Sequence, residues 1–186
     1  MGKVPFFKSI HVKIALIYVL LILIAMQVIS VYFIQQLEER FKENFKNSLN
    51  DRIELLAYNI ADELSQETER GSAEIRENIE ALVANFPSDN TIVREIQVIN
   101  SDGEVIATNG IVGSGGESTN DARVKQALSG SRDSDIMRDR NTGDRIYVFA
   151  MPIVFSGDDT VRGAIYTEAS MEEIYDQMNE INAILV

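Results

Sequence analysis

Residues 14–34, IALIYVLLILIAMQVISVYFI, form an apolar run without a charged side chain. Only Gln27 and Ser30 are conspicuously polar. As a helix, a run of this length spans roughly 30 Å, the thickness of the hydrocarbon core of a bilayer. A cleaved signal peptide has a shorter apolar region, about 7–15 residues, followed by a small-residue cleavage site, and neither feature is present. The run therefore predicts an uncleaved transmembrane helix.

The charges beside the run predict its orientation. Three lysines precede it, at positions 3, 8 and 13, whereas all 29 acidic residues come at or after Glu38. Positively charged flanks of membrane helices stay in the cytoplasm. We therefore expect residues 1–13 to be a cytoplasmic tail, and the residues after about 37 to lie outside the cell membrane.

Composition excludes several classes of function. Lys+Arg 17 against Asp+Glu 29 gives a net charge of -12, and such acidity repels the phosphates of nucleic acids. The absence of cysteine excludes disulfides, thiolate metal sites and cysteine nucleophiles. The EF-hand template fails around Gly103, and no phosphate-binding, zinc-hydrolase or serine-nucleophile motif occurs. We expect no metal, no cofactor and no catalytic residue.

Helical patterns begin where the apolar run ends. Apolar residues recur every three or four positions from Leu37 to Leu64, which predicts a helix that continues out of the membrane. A second helix is predicted from Ser72, with Ile75 and Ile79 on its apolar face, and a short helix from Asp121 to Leu128.

Five β-rich runs follow the second helix. The turn residues Ser101-Asp102-Gly103 join the first two runs, VREIQVIN and EVIATN. The turn residues Asn141-Thr142-Gly143-Asp144 join the next two, SDIMRD and RIYVFAMPIVF. Each turn sequence is typical of a β-hairpin. The fifth run is TVRGAIYTEAS. The order predicts an α+β fold: a transmembrane helix over residues 14–34, then an extracytoplasmic PAS-like domain of the PDC/Cache type over 35–182. Its five-stranded antiparallel sheet would be covered by long N- and C-terminal helices.

The last predicted helix begins near Ser170 and carries an apolar seam with spacing of three and four. Such a seam either packs on the first helix of its own domain or meets its copy in a dimer. The apolar residues 183–186 are either a frayed terminus or the start of a second, truncated transmembrane helix, and we favour the helix. The seam consists of Met171, Ile174, Met178, Ile181 and Leu185.

Two segments carry a resemblance to a known family: the opening KVPFFKSIHVKIALIYVLLILIAMQVISVYFIQQLE and the close GAIYTEASMEEIYDQMNEINAIL. Both resemble the WalK (YycG) family of cell-wall sensor histidine kinases of low-GC Gram-positive bacteria. The resemblance implies a homodimer with two membrane helices flanking the outer domain. It also implies a cytoplasmic region that phosphorylates a response regulator controlling peptidoglycan hydrolases. Membrane-anchored regulatory proteins would contact the membrane helices.

The chain departs from the full family pattern. Its one histidine is His11, at the expected cytoplasmic membrane edge, and there is no phosphoacceptor His-Glu motif or Asn- and Gly-rich ATP-binding box. We therefore expect no enzymatic activity from these residues, although the parent protein that they resemble is a histidine protein kinase.

Four residues on or beside predicted strands are candidates for ligand binding: Arg94, Arg138, Arg145 and Tyr147. Arginine binds a carboxylate through two parallel hydrogen bonds, and a tyrosine hydroxyl adds another. The alternative, which we favour, is that these arginines balance local acidic residues on an exposed face. The sequence does not identify the ligand.

The sequence favours signal input: an outer domain that detects a state of the wall or envelope and biases the packing of helices entering the membrane. PAS-like input domains also serve chemoreceptors and cyclic-nucleotide cyclases, which is the main alternative. Two alternatives come from other functional classes: a free-standing membrane-anchored adaptor, and an envelope hydrolase with paired carboxylates.

Overall fold

The computed structural model describes residues 10–65, 72–86, 92–109, 120–155, 157 and 159–185. The predicted tail residues 1–9 and the terminal Val186 lie outside them. Asn44–Asp176 form one unit, and Met1–Glu43 with Gln177–Val186 form another. The described helices are α1 (Ile10–Ser65), α2 (Ser72–Ala84), α3 (Ala122–Leu128) and α4 (Glu172–Leu185), and the strands are β1 (Val93–Asn100), β2 (Val105–Thr108), β3 (Asp133–Arg138), β4 (Arg145–Val154) and β5 (Val161–Ser170).

Helix α1 is continuous from Ile10 to Ser65, as the periodicity predicted. Among the described residues, it is the one helix whose length and composition suit a membrane crossing. Its large apolar side chains between Ile14 and Phe33 are exposed, whereas buried positions begin at Leu49. The first part of the helix therefore has no protein core to cover it, which is the pattern of a helix surrounded by lipid.

The five strands form one antiparallel sheet in the order β2-β1-β5-β4-β3, which confirms the predicted α+β architecture. Both predicted hairpins are present. Gly103 and Gly143 have φ of 86° and 77° in the two turns, a region that glycine adopts without strain. Strand β5 lies between β1 and β4. It pairs with β4, the strand that precedes it in the chain, whereas its pairing with β1 joins residues far apart in sequence, which the hairpin signals alone did not predict.

Both faces of the sheet are covered. The larger core joins α1 and α2 to one face, through residues such as Ile53, Ile79 and Phe149. The smaller core joins α3 to the other face, through residues such as Val124 and Val148. Since β4 sends alternate side chains into both cores, nearly every residue of it is buried, and this explains its continuous apolar sequence.

Candidate functional site

The four predicted ligand residues lie at one end of the sheet, where β1 and β4 begin and where β3 and β5 end. Arg138 and Arg145 are direct register partners on β3 and β4. Tyr147 is the register partner of Ala169 on β5, and Arg94 follows the β1 residue that pairs with Ala169. The strands therefore bring the four residues to the same edge of the domain.

Arg94 is held between two aspartates of the β3–β4 turn. Its Nη1 donates to Oδ2 of Asp139 at 2.8 Å, and its Nη2 donates to Oδ2 of Asp144 at 2.5 Å. The bond from Arg94 is the largest cause of the lowered pKa of Asp144. The pKa of Asp139 is lowered mainly by the backbone N–H of Asn141, to which Arg94 adds. Arg94 therefore ties β1 to the turn between β3 and β4.

The other three predicted residues each have separate contacts. Tyr147 is 1% exposed, and its hydroxyl donates to Oδ1 of Asn50 at 3.1 Å. Arg138 is exposed and donates to the backbone oxygen of Gly143 at 3.3 Å. The guanidinium of Arg145 lies over the ring of Tyr175 in α4. Tyr147 is thus a core residue, whereas the arginines make surface or interelement contacts.

The predicted helix seam lies along α4. Met171 is 0% and Met178 is 3% exposed within the single chain, and Ile174 and Ile181 are half-buried. The side chain of Leu185 lies outside the described residues. Burial of Met171 and Met178 without a second copy favours intrachain packing for those two positions.

A polar patch that the sequence did not single out lies on the face of the sheet covered by α3. We define it by Glu95 and Gln97 of β1 and Tyr166 and Glu168 of β5. Glu95 is the register partner of Glu168, and Gln97 is the partner of Tyr166. Gln97 Nε2 donates to Glu95 Oε1 at 2.6 Å, and the Tyr166 hydroxyl donates to Glu168 Oε1, also at 2.6 Å. Strands β1 and β5 therefore each carry a hydrogen-bonded polar pair, and the two pairs lie side by side in the sheet.

The polar patch is substantially withdrawn from water. Gln97 is 1% exposed and Tyr166 is 5% exposed. Burial is the main reason that the pKa of Glu168 is raised, and the carboxylate of Glu95 adds to the rise while the bond from Tyr166 opposes it. Burial and the bond to Glu168 also raise the pKa of Tyr166. Glu168 therefore holds its proton more tightly than an exposed glutamate does.

The N-terminal end of α3 borders the polar patch. Asp121 caps this helix by accepting from the backbone N–H of Arg123 at 2.8 Å. The Arg123 guanidinium lies 2.9 Å from Oδ2 of Asp121 and 3.6 Å from Oδ2 of Asp135 on β3. The charge of Asp121 raises the pKa of Tyr166, and the charge of Arg123 lowers it. The start of α3 and the polar patch therefore interact electrostatically.

Carboxylates outnumber the cations Arg94 and Arg123 around the polar patch, so it suits a proton or a hydrogen-bond donor better than a carboxylate ligand. In the part of the chain that the structure describes, no three His, Cys, Asp or Glu side chains are placed to hold a metal ion. The carboxyl, amide and hydroxyl groups of the polar patch can bind a proton and form hydrogen bonds.

A family model and full-length relatives both match this chain to the WalK sensor kinases. Residues 78–169 match the family model described as the WalK sensor protein kinase Cache domain. The chain is 37% identical over 189 residues to the sensor histidine kinase WalK of Bacillus subtilis (strain 168), covering 100% of this chain and 30% of that protein. It is 33% identical to the sensor protein kinase WalK of Staphylococcus aureus (strain JH9), covering 96% of this chain and 29% of that protein. The chain thus spans less than a third of the length of these relatives.

Solved structures share the fold. The extracellular domain of vpHK1S-Z8 gives a TM-score of 0.63 at 12% identity, covering 83% of this chain and 63% of that one. The ligand-binding domain of the Campylobacter jejuni chemoreceptor Tlp3, in complex with L-valine, gives 0.60 at 11% identity, covering 78% and 60%. At such identities the likeness concerns the fold alone, and it confirms the predicted Cache-type architecture.

Proposed function

The chain belongs to the WalK sensor histidine kinase family, of which it is the N-terminal signal-input part, and we propose that it passes the state of the cell envelope to a cytoplasmic kinase. The kinase would phosphorylate a response regulator, and this chain of 186 residues would supply sensing but no phosphotransfer. The observation that carries this proposal is the match to the WalK Cache domain over residues 78–169.

The membrane arrangement supports this function. The apolar, exposed part of α1 would cross the membrane with the lysine-rich tail, residues 1–13, inside. Residues 35–182 would form the outer domain, and residues 183–186 would begin a second membrane helix. Both membrane connections would then leave the domain as helices, so a change in the sheet can become a helix displacement.

We further propose that the input region works as a homodimer. Leu55 and Tyr58, one turn apart on α1, are 63% and 62% exposed. Leu55 borders a groove of 450 Å³ between α1 and α2, which also contains Leu82 and Phe86. A second copy, held parallel by the membrane, would cover these apolar side chains. Membrane-anchored regulatory proteins would contact the membrane helix.

Thiol labelling on intact cells tests the topology. Ser101 is exposed in the β1–β2 turn, and Ser9 precedes the membrane run. A membrane-impermeant reagent should label Ser101→Cys, whereas Ser9→Cys should react only after permeabilisation. Labelling of Ser9→Cys alone on intact cells would contradict the orientation and the sensing role.

A chimeric receptor tests the function itself. In it, the chain replaces the corresponding N-terminal part of the Bacillus subtilis kinase. We expect phosphotransfer to the response regulator in membranes, at a level that changes when the outer domain is unfolded by substitution. A chimera whose phosphotransfer ignores every change in the outer domain would contradict a signal-input role.

A further inference from the structure

The first turn of α4 is fastened to the start of β4 by three contacts, which we call the Arg145 clasp. The backbone N–H of Met171 donates to the backbone oxygen of Arg145 at 2.9 Å. The backbone N–H of Arg145 donates to Oε1 of Glu172 at 2.7 Å. The guanidinium carbon of Arg145 lies 3.9 Å from the centre of the Tyr175 ring. One residue of the sheet thus contacts three residues at the start of the helix, Met171, Glu172 and Tyr175.

The surroundings make the clasp a defined joint. Met171 is 0% exposed, and Tyr175 packs against the larger core. The preceding residue, Ser170, ends β5 and donates its backbone N–H to the oxygen of Ile92 at 2.6 Å. The carboxylate of Glu172 also lies in the first turn of α4, where the positive end of the helix dipole favours a negative charge.

Only part of the clasp depends on the side chain of Arg145. Its backbone bonds to Met171 and Glu172 can form with any residue except proline at position 145. The contact of the guanidinium with the Tyr175 ring is a cation–π interaction, which needs the positive charge and an aromatic face. Substitution at position 145 therefore loosens the joint without removing β4 from the sheet.

Resting on the proposed signal-input function, we propose that Arg145 is the positioning residue that couples the sheet to α4. While its guanidinium covers Tyr175, the first turn of α4 follows any displacement of β4. When that contact is lost, only the backbone bonds at Met171 and Glu172 hold the helix start, so the turn around Tyr175 follows the strand less closely and a change in the sheet reaches the helix weakened. A coupled element of this kind must have two arrangements that the signal populates unequally.

Amide hydrogen exchange on the whole chain in lipid nanodiscs tests the mechanical part. Arg145→Met should speed exchange of the backbone amides at Tyr175 and the next turn of α4 by about tenfold, with exchange in β4 and β5 unchanged. The matched control is Arg138→Met, because Arg138 is the register partner of Arg145 and contacts only a turn carbonyl in the part of the chain described. Exchange at α4 that is equal in wild type and Arg145→Met would overturn the proposal.

Rescue at position 175 separates the clasp from general packing. Tyr175→Phe keeps an aromatic face and should leave exchange and output near wild type. Tyr175→Leu keeps apolar bulk without that face and should behave like Arg145→Met. If Tyr175→Phe and Tyr175→Leu loosen α4 equally, Arg145 does not act through the ring and the proposal is wrong.

Output in the chimeric receptor tests the coupling. Arg145→Met and Tyr175→Leu should change phosphotransfer by about threefold or more, whereas Tyr175→Phe and Arg140→Met, at an exposed position of the β3–β4 turn, should not. Faster exchange at α4 with unaltered phosphotransfer would overturn the coupling role. If phosphotransfer by the chimera does not respond to any change in the outer domain, the proposed function is contradicted instead. The exchange measurements still decide whether Arg145 holds the helix.

Discussion

Tyr166 donates its hydroxyl hydrogen to Oε1 of Glu168 at 2.6 Å, between two side chains on the same face of β5. Glu95 on the neighbouring strand is the register partner of Glu168. Burial and the nearby carboxylate raise the pKa of Glu168 from its ordinary value of 4.5. The folded chain therefore binds this proton more tightly than the unfolded chain does. The stability that results is present below pH 4.5 and is lost as the pH rises through the folded pKa.

Glu168→Gln should raise the thermal stability of the chain at neutral pH. The amide removes the charge that burial disfavours, and its oxygen still accepts the bond from Tyr166. The loss of stability with rising pH above 4.5 should also become smaller than in the wild type. Melting curves recorded across this pH range check both effects, with Tyr166→Phe to show the contribution of the bond. An unchanged pH dependence in Glu168→Gln would mean that another group titrates.

Arg94→Met should weaken the tie between β1 and the β3–β4 turn. The pKa values of Asp139 and Asp144 lie below their ordinary value of 3.8. These ionised carboxylates therefore stabilise the fold above pH 3.8, and the stability is lost as the pH falls through their folded pKa values. Without Arg94, both pKa values should move towards 3.8, and stability at neutral pH should fall. Carboxyl NMR titration measures the shift.

Arg138→Met is the control for Arg94→Met, since Arg138 contacts a turn carbonyl and no carboxylate among the described contacts. It should leave both titrations unchanged. If Asp144 titrates identically in wild type and Arg94→Met, the guanidinium contact does not exist in solution.

Two glycines should resist substitution for different reasons. Gly103 has φ 86° with nothing within 4 Å of an added Cβ, so Gly103→Val costs backbone strain of about 1–2 kcal/mol. At Gly163, an added Cβ would lie 2.3 Å from the backbone oxygen of Ile99. Gly163→Ala must therefore push β1 and β5 apart, at a cost of about 2 kcal/mol or more.

Urea unfolding of the two glycine variants measures these costs. Gly103→Asn should recover most of the loss, because asparagine tolerates positive φ, whereas no side chain relieves the clash at Gly163. A free energy of unfolding that is unchanged by Gly103→Val would show that the turn relaxes without cost.

The contrast between these glycines explains what the sequence could predict. The role of Gly103 follows from three adjacent residues, Ser101-Asp102-Gly103, because turn chemistry is local. The role of Gly163 depends on β5 lying beside β1, a pairing of residues far apart in the chain. The same limit applies to the polar patch. Spacing along β5 places Tyr166 and Glu168 on one face, but their neighbours on β1 follow only from strand order and register.

The predicted ligand residues illustrate a second limit. Charge and proximity to strands singled out Arg94 and Arg145, but residue type does not reveal which partner an arginine has. The structure gives Arg94 two aspartates and gives Arg145 an aromatic ring. Ligand binding by these residues stays a prediction, whereas the placement of all four at one end of the sheet is a result of the fold.

Thr167→Val should stabilise the domain. Thr167 is 0% exposed on the face of β5 opposite the polar patch, and within the described residues its Oγ1 has no hydrogen-bond partner. Valine has the same shape without the buried hydroxyl, so the free energy of unfolding should rise by about 1 kcal/mol. Thr167→Ser keeps the hydroxyl and loses the methyl group, and it should be less stable than wild type. A loss of stability in Thr167→Val would mean that the hydroxyl is hydrogen-bonded in solution.

Met178→Asp should lock or abolish the output of the chimeric receptor while the sheet stays folded. Met178 is 3% exposed, so the substitution buries a charge in the seam of α4. Asn179→Asp adds the same charge at the exposed neighbouring position and should leave output unchanged. Phosphotransfer measures output, exchange in β4 and β5 reports the sheet, and disulfide formation between copies carrying Ile181→Cys reports the dimer. Met178→Asp should also change that crosslinking. If output and crosslinking are the same as in wild type, α4 is only a tether, and the signal must travel through α1.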